Sequence, residues 1–465
     1  MNILVPITMF GWIPIVVVMF AAMPPRRATL ISLLGAWMFL PMASIKLASG
    51  IPPYSKMAAA CYGVLLGTIL FNANELWRFK PKLLDLVMVV WCLCPLFSSV
   101  SNGLGIYDGL SSAFEQTIIW GLPYLIGRLY FGSDQGMREL AIATFIGGLI
   151  YIPFCWFEIR FSPQLHRMIY GFSPVAIFAM NVRYGGYRPN VFMQSGLMVG
   201  MWMAMATLIG FWLWWSQSVR ILFRVPIEWL LGALVITTIF CKATGAIMLL
   251  LIGITVLLLE QRLRRHWLMV ILMLVPPTYI LLRTTGAWSG NNFISAVDDA
   301  FGASRGQSVE YRFNAENLLV AKALEQPIFG WGGWGRARIK DSEGEDMVGT
   351  DGLWVITFGN YGIVGLAALT LSVLLPSLLL VMSTSPRQWA HPTVAPAAVI
   401  SVILCLFMID NLMNGMLNPV YVAMAGGLVA FELPNRRIKP AAMKHLNISR
   451  DGFVPRMFVD PRKTN

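Results

Sequence analysis

Long apolar runs recur along almost the whole chain and are separated by short polar segments. About thirteen of these runs approach the roughly 20 residues that a helix needs to cross the apolar part of a bilayer. They lie near residues 2–22, 28–46, 53–72, 82–101, 109–131, 137–158, 191–215, 224–241, 243–260, 267–284, 350–382, 396–414 and 418–432. The runs are continuous, whereas the strands of an outer-membrane barrel alternate in polarity, so the pattern predicts membrane-spanning helices.

Composition supports this prediction and excludes other classes of protein. Of the 465 residues, 57% are hydrophobic and 12% are charged, and the mean hydropathy is +0.66. Soluble domains are about 45–50% apolar and about 25% charged, which excludes a soluble enzyme. With 12% aromatic residues the chain has too much apolar surface to stay solvated, as a disordered protein does. We expect an all-α polytopic membrane protein with about 12–13 transmembrane helices.

Basic residues predict the orientation of the helices. Clusters of arginine and lysine fall in alternate loops: Arg26 and Arg27, Arg78 with Lys80 and Lys82, Arg138, Arg220 with Arg224, Arg262 with Arg264 and Arg265, Arg387, and Arg436 with Arg437. Such loops are usually cytoplasmic, so the N-terminus is expected outside and the C-terminus in the cytoplasm. The formal net charge of +12 is explained by this topology, and we expect no nucleic acid as a partner. Residues 1–20 lack a basic n-region and a cleavage pattern, which favours a retained first span over a signal peptide.

These predictions divide the chain into six segments. They are N-terminal transmembrane helices over 1–158, a first long periplasmic loop over 159–190, central transmembrane helices over 191–284, a second long periplasmic loop over 285–349, C-terminal transmembrane helices over 350–432, and a cytoplasmic tail over 433–465. The six cysteines lie in or beside apolar runs, where a thiol packs as a small hydrophobe, so we expect no disulfide and no metal site. Chemistry is expected in the two long outer loops.

The first loop ends in RYGGYRPNVFMQSGL, residues 183–197, which leads into the seventh apolar run. Gly185 and Gly186 give backbone freedom, and Arg188 is held extended by the following proline. A guanidinium at the level of the lipid headgroups suits a phosphate, so Arg188 and Arg183 are candidate ligands. The alternative is that both arginines only anchor the end of a span.

The second loop contains more polar residues. Apolar residues recur at helical spacing from Arg312 to Leu324, which predicts a short amphipathic helix on the outer surface that ends before Pro327. The GWGGWG run lacks the Gly-Lys-Ser/Thr of a phosphate-binding loop and predicts a tight turn. Arg336 and Arg338 follow as candidate substrate ligands, although a run of mixed charges is more often a solvated loop.

Ionisable residues inside apolar runs are a further signal, because burying a charge in a membrane is costly. Lys46, Lys242 and Asp410 lie near the predicted ends of spans, where a long or terminal side chain can reach the interface. Glu115 and Arg128 lie deeper and are about 20 Å apart along a helix, so they cannot pair with each other. Glu115 is kept as a candidate substrate ligand.

The order of the motifs resembles the O-antigen ligase and O-antigen polymerase superfamily of bacterial inner-membrane glycosyltransferases. The shared elements are Arg312, then Pro327-Ile-Phe-Gly-Trp-Gly332, then a polar loop and Gly362-Ile-Val-Gly-Leu366, with YRPNVFMQSGLMVG upstream. Ligases of the superfamily carry a His-Asn pair about eleven residues before the glycine turn. Here that position holds Asp351-Gly352, which favours the polymerase branch slightly.

The resemblance implies transfer of a glycan from undecaprenyl pyrophosphate to an acceptor hydroxyl at the periplasmic face of the bacterial inner membrane. Arg188 and Arg312 would stabilise the leaving pyrophosphate, and Asp351 or, second to it, Glu310 would accept the proton of the hydroxyl. The partners would be the lipid-linked glycan donor, a glycan or lipid acceptor and membrane lipids. We expect no cofactor and no metal, because arginines can neutralise the pyrophosphate.

Three alternatives stay open. The first is an O-antigen ligase that attaches the finished glycan to a lipid core. The second is a transporter of polysaccharide or lipid-linked glycan, although transporters usually place their charged site on broken helices at the midplane. The third is a structural subunit whose outer loops are docking surfaces.

Overall fold

The structure is a computed structural model that describes residues 2–432 except 49, 176, 177, 184 and 350. The predicted cytoplasmic tail over 433–465 lies outside the described residues. The first helices are α1 (Leu4–Ala22), α2 (Pro25–Phe39), α3 (Lys56–Phe71), α4 (Ala73–Trp77), α5 (Asp85–Ser101), α6 (Ile106–Gln116), α7 (Leu122–Tyr130), α8 (Asp134–Phe161) and α9 (Leu165–Tyr170). They are followed by α10 (Gly196–Trp215), α11 (Ile227–Phe240), α12 (Thr244–Leu263), α13 (Trp267–Thr284), α14 (Asn291–Phe301), α15 (Ala303–Ala323), α16 (Leu353–Ser383), α17 (Ala395–Met413) and α18 (Pro419–Ala430).

Other regular structure is short. A π-helical turn over Thr117–Gly121 joins α6 to α7, and 3₁₀ turns cover Phe178–Asn181 and Pro386–Ala390. Six two-residue strands form three antiparallel pairs: β1 (Ser44–Ile45) with β2 (Tyr54–Ser55), β3 (Val182–Arg183) with β4 (Gly186–Tyr187), and β5 (Ile221–Leu222) with β6 (Val225–Pro226). The all-α class predicted from the sequence is confirmed.

Seven of the described helices are long and apolar enough to cross a membrane, namely α1, α8, α10, α12, α13, α16 and α17. Four shorter apolar helices, α3, α5, α11 and α18, have between 10 and 17 residues. The chain is therefore a polytopic membrane protein, while the total of about 12–13 spans and their orientation stay predictions. Each predicted apolar run contains at least one helix.

The predicted run over 28–46 differs most in its bounds. The helix there, α2, begins at Pro25 and ends at Phe39. Pro41 explains the early end, because a proline disfavours helical geometry at the residue before it. Leu40 accordingly adopts φ −67° and ψ 150°.

The predicted amphipathic helix of the second loop is also longer than expected. It forms α15, which begins at Ala303, after Gly302 with φ 88°, and has 21 residues. The apolar spacing used for the prediction starts only after Arg312, so the polar first part of the helix gave no periodic signal.

The centre of the bundle is formed by α10 and α17. Within their most apolar 18-residue windows, 89% of α10 and 83% of α17 are buried. Helix α10 packs against α8, α11, α12 and α17. The segment that leads into α10 therefore enters the molecule at its most buried helix.

Helix α16 is interrupted where the sequence has its Gly-x-x-Gly-Leu turn. Gly362 has φ 63° and ψ −163°, so the backbone leaves helical geometry there. Such a break exposes backbone groups, and inside a membrane they must bond to protein or water.

The turn over 327–332 supplies these partners. Four backbone hydrogen bonds join it to the break: Trp331 N–H to Gly359 O (2.8 Å), Gly332 N–H to Asn360 O (3.0 Å), Ile363 N–H to Pro327 O (2.8 Å) and Val364 N–H to Ile328 O (3.3 Å). The two glycine motifs, at 327–332 and 362–366, thus contact each other directly, and together they fix the second loop to α16.

Candidate active site

Four of the residues singled out in the sequence line one cavity. Arg183, Arg188, Arg312 and Asp351 surround a space of about 560 Å³. The cavity lies between the segment before α10, the middle of α15, the start of α16 and the residues just after α17. Residues more than 160 positions apart in the chain therefore meet at the ends of the central helices.

A second cavity of about 450 Å³ adjoins the first and shares its three arginines. Its remaining wall is largely apolar, with Met248, Leu249, Phe293, Val297, Ile409 and Met413. Asp410 is also on this wall. A compartment lined by cations thus opens onto an apolar one, and we call the two together the arginine cavity.

Arg188 is the most buried of the three arginines. It is only 7% exposed; its backbone N–H donates to Asn181 O at 2.7 Å, and its Nη2 donates to Lys242 O at 3.2 Å. Its aliphatic stem lies on the first residue of α10, Gly196, where an added Cβ would overlap Cγ and Cδ of Arg188. The lack of a side chain at Gly196 therefore makes room for Arg188.

Arg183 is placed by a tight hairpin. Strand β3 carries Arg183 and pairs with β4, and Gly185 in the turn has φ 66°. The Arg183 carbonyl accepts a hydrogen bond from Lys242 Nζ at 3.1 Å. A Cβ on Gly186 would overlap that ammonium group. The two glycines thus allow the turn and the close approach of Lys242.

Arg312 and Asp351 form an ion pair across the mouth of the cavity. Arg312 Nε lies 3.4 Å from Asp351 Oδ2, and the side chains are 28% and 51% exposed. Ser308, Tyr311 and Arg312 all line the cavity because residues three and four apart share one face of a helix. An ion pair this exposed contributes no more than about 1 kcal/mol, so either side chain can exchange its partner for a charged group of a ligand.

Asp410 lines the arginine cavity, although its place near the end of an apolar run predicts only a side chain that reaches the interface. It accepts a hydrogen bond from Asn414 Nδ2 at 2.9 Å, and Arg312 interacts with it electrostatically. The signal that could have found it is the Asp410-Asn414 spacing, which places two polar side chains on one helix face at the end of an apolar run.

Four other candidates lie away from the arginine cavity. Glu310 is exposed and lies two positions from Ser308 and from Arg312, on another face of α15. Arg338 pairs with Asp346 at 2.6 Å. Arg336 and Glu115 do not line either compartment, and Glu115 is exposed on α6. The helical periodicity of α15 already predicts that Glu310 lies on a different face from Arg312. The positions of Arg336, Arg338 and Glu115 outside the cavity follow only from the tertiary fold.

A buried network fixes the helix that carries Arg312. Glu316, one turn further along α15, is 4% exposed and accepts from Tyr279 Oη at 2.8 Å, Arg283 Nε at 3.2 Å and Trp354 Nε1 at 3.4 Å. Burial raises the pKa of the Glu316 carboxyl, and these hydrogen bonds and the Arg283 charge oppose the rise. The network joins α13, α15 and the first turn of α16. It therefore fixes the part of α15 that carries Arg312.

Among the described residues, no group of three or more histidine, cysteine, aspartate or glutamate side chains could hold a metal ion. The six cysteines are buried and free. Three guanidinium groups, those of Arg183, Arg188 and Arg312, line both compartments of the arginine cavity, and guanidinium groups bind phosphate in bidentate geometry.

In comparisons with known proteins, no family model and no curated protein matches the chain.

Proposed function

We propose that the chain is a glycosyltransferase of the O-antigen polymerase or ligase type. It would transfer a glycan from undecaprenyl pyrophosphate to an acceptor sugar hydroxyl at the periplasmic face of a bacterial inner membrane, in the synthesis of surface polysaccharide. The observation that carries the proposal is the meeting of Arg183, Arg188 and Arg312 with two aspartates around a cavity that opens onto an apolar compartment.

The proposed reaction is a substitution at the anomeric carbon of the donor glycan. The acceptor oxygen forms the new glycosidic bond while the bond from that carbon to the pyrophosphate oxygen breaks. The hydroxyl proton passes to a carboxylate, and the electron pair of the broken bond leaves with the pyrophosphate. Fixed guanidinium groups stabilise this developing charge, and removing one such donor commonly costs about 10²–10³ in rate.

The apolar compartment suits a lipid-linked donor. Its wall of Met248, Leu249, Phe293 and Ile409 adjoins the arginines, so a polyprenyl chain can lie against it while its pyrophosphate meets the guanidinium groups. A water-soluble sugar nucleotide would gain nothing from such a wall.

Asp351 is the proposed proton acceptor, because it stands in the motif position of the ligase histidine and faces the cavity. A carboxylate in place of that histidine favours a polymerase, which extends the lipid-linked chain, over a ligase, which attaches it to a lipid core. Transport of a lipid-linked glycan is less well supported, because Arg188, Arg312 and Asp351 all lie beyond the ends of α10, α16 and α17 and not half-way along them.

The test is the pool of lipid-linked glycan in cells whose only copy carries Arg312→Ala at normal abundance. Accumulated single repeat units would indicate failed chain growth and so a polymerase. Accumulated long chains would indicate failed attachment and so a ligase. Arg338→Ala, outside the cavity, is the matched control and should leave the pool as in wild type. An unchanged pool with Arg312→Ala would contradict the proposed role of this residue.

A further inference from the structure

The segment that carries Arg188 is held by a carboxylate that the proposed chemistry does not use. Glu158 lies near the end of α8 and its side chain is fully buried. Its Oε2 accepts hydrogen bonds from the backbone N–H groups of Asn190 and Val191, each at 2.7 Å. Its Oε1 accepts from the N–H of Leu165 at 2.9 Å. One side chain thus joins the start of α9 to the residues that follow Arg188.

The backbone at this point has an unusual conformation. Val191 has φ 51°, a region that is strained for a β-branched residue. Two consecutive N–H groups pointing at one carboxylate oxygen compensate this strain and fix the direction of the chain. Because Pro189 restricts φ between Arg188 and Asn190, the conformation at 190–191 limits where the backbone of Arg188 can lie, and so adds to the contacts that Arg188 makes with Asn181 and Lys242.

The next residue, Phe192, is held by a second buried side chain. Lys56 Nζ donates to Phe192 O at 3.3 Å and to Trp37 O at 3.0 Å, and Lys56 is 4% exposed. Two buried ionisable side chains therefore hold the backbone of three consecutive residues, 190 to 192, next to Arg188. Burying ionisable groups is a costly way to stabilise a fold, whereas supporting hydrogen bonds are what hold a functional side chain in its geometry.

We propose that Glu158 is a positioning residue that orients Arg188 toward the pyrophosphate of the donor. This inference rests on the proposed function, in which Arg188 contacts that group. Glu158 lines neither compartment of the arginine cavity and accepts only from backbone N–H groups, so its removal should weaken the binding of pyrophosphate only while Arg188 is present.

The test is a double-mutant cycle on the purified full-length protein in detergent, with undecaprenyl pyrophosphate as the probe and its Kd as the readout. Glu158→Gln replaces one carboxylate oxygen by an NH2 group, which cannot accept a hydrogen bond. At least one of the three backbone N–H groups then faces a donor instead of an acceptor. We expect Glu158→Gln and Arg188→Ala each to raise Kd about tenfold, and the double variant to bind no more weakly than Arg188→Ala. A purely structural role would give independent effects that multiply.

Each other result has a separate meaning. If Arg188→Ala weakens binding and folded Glu158→Gln does not, or if the two effects multiply, the inference is wrong and the proposed function stands. If Arg188→Ala binds as wild type, the role of Arg188 in the proposed function fails and the inference fails with it.

Two further variants guard against loss of folding. Glu260→Gln is the matched control, because Glu260 is also buried and accepts from a backbone N–H, that of Met269 at 2.6 Å, away from the arginine cavity. It should leave Kd unchanged. If Glu158→Gln does not give a monodisperse protein, Glu158→Asp keeps the charge but is one methylene shorter. It should also raise Kd, with no added effect in the Arg188→Ala background, and the inference is wrong if its effect is absent or independent.

Discussion

Gly330 lies directly against Gly362 at the break in α16. A Cβ on Gly330 would stand 2.6 Å from the Gly362 nitrogen, and a Cβ on Gly362 would overlap the carbonyl of Ile328. Both glycines have positive φ, 70° and 63°. Neither position can accept a side chain without moving the turn over 327–332 away from the helix.

Gly330→Ala should therefore destabilise the protein by about 3 kcal/mol, through left-handed strain and overpacking against backbone. Gly333→Ala is the control in the same turn, because an added Cβ there meets nothing within 4 Å. It should change stability by less than about 0.5 kcal/mol. Thermal unfolding of the two purified variants checks this, and equal melting temperatures would show that the turn is not fixed to α16 in this way.

Gly196→Ala should impair function more than stability. The new Cβ would overlap the stem of Arg188 and push its guanidinium out of position, while alanine suits a helix better than glycine by about 0.5–1 kcal/mol. We expect a Kd for undecaprenyl pyrophosphate raised about tenfold. Gly232→Ala, in α11 and outside both compartments, meets no atom within 4 Å and should bind as wild type. Unchanged binding in Gly196→Ala would mean that Arg188 can reorient freely.

The helical class and the approximate places of the apolar helices followed from the sequence, because continuous apolar runs of span length allow little else. The meeting of Arg188, Arg312 and Asp351 at one cavity could be expected only from the motif order, since nothing local relates residues so far apart. The break at Gly362 was visible only as a glycine motif. That it binds the turn at Gly330 depends on hydrogen bonds between distant backbones, which side-chain patterns do not encode.

Other features of the site left weaker signals. Glu158 appears in the sequence as one more acid at the end of a span, because its partners are peptide groups and not side chains. Asp410 was discounted for the same position at a span end, although its side chain faces the arginines. Arg338 is the opposite case. It lies in a polar run that suggests a ligand site, but its side chain pairs with Asp346. Whether such a residue belongs to the site depends on the exposure and the direction of its side chain, and tertiary packing sets both.

The two aspartates of the arginine cavity can be separated by neutral variants of equal size. If Asp351 accepts the proton of the acceptor hydroxyl, Asp351→Asn should lower kcat by about 10²–10⁴ with a smaller change in KM for the donor. Asp346→Asn, which removes the partner of Arg338 outside the cavity, should stay within about twofold of wild type. A large loss in Asp410→Asn together with near-normal turnover in Asp351→Asn would assign the base to Asp410 instead.

His166 should make the stability of the first loop depend on pH. Its Nδ1–H donates to Phe172 O at 2.8 Å and its Nε2 accepts from the Met42 N–H at 3.0 Å, an arrangement that requires the neutral ring. Burial lowers the pKa of His166 in the folded protein, so as pH falls below about 6.5 the unfolded chain takes up the proton first. The free energy of unfolding should then fall with pH, and it should be fully recovered above that value.

Melting temperatures between about pH 5 and 8 measure this effect, because they span the ordinary range of histidine titration. In His166→Gln the side-chain amide can still donate to Phe172 O and accept from the Met42 N–H, but it does not titrate. The variant should therefore lose the part of the pH dependence that His166 supplies while keeping most of the stability at pH 8. If wild type and His166→Gln lose stability in parallel as the solution is acidified, another group causes the loss, and the link from α9 to the α2–α3 connection is not sensitive to protons.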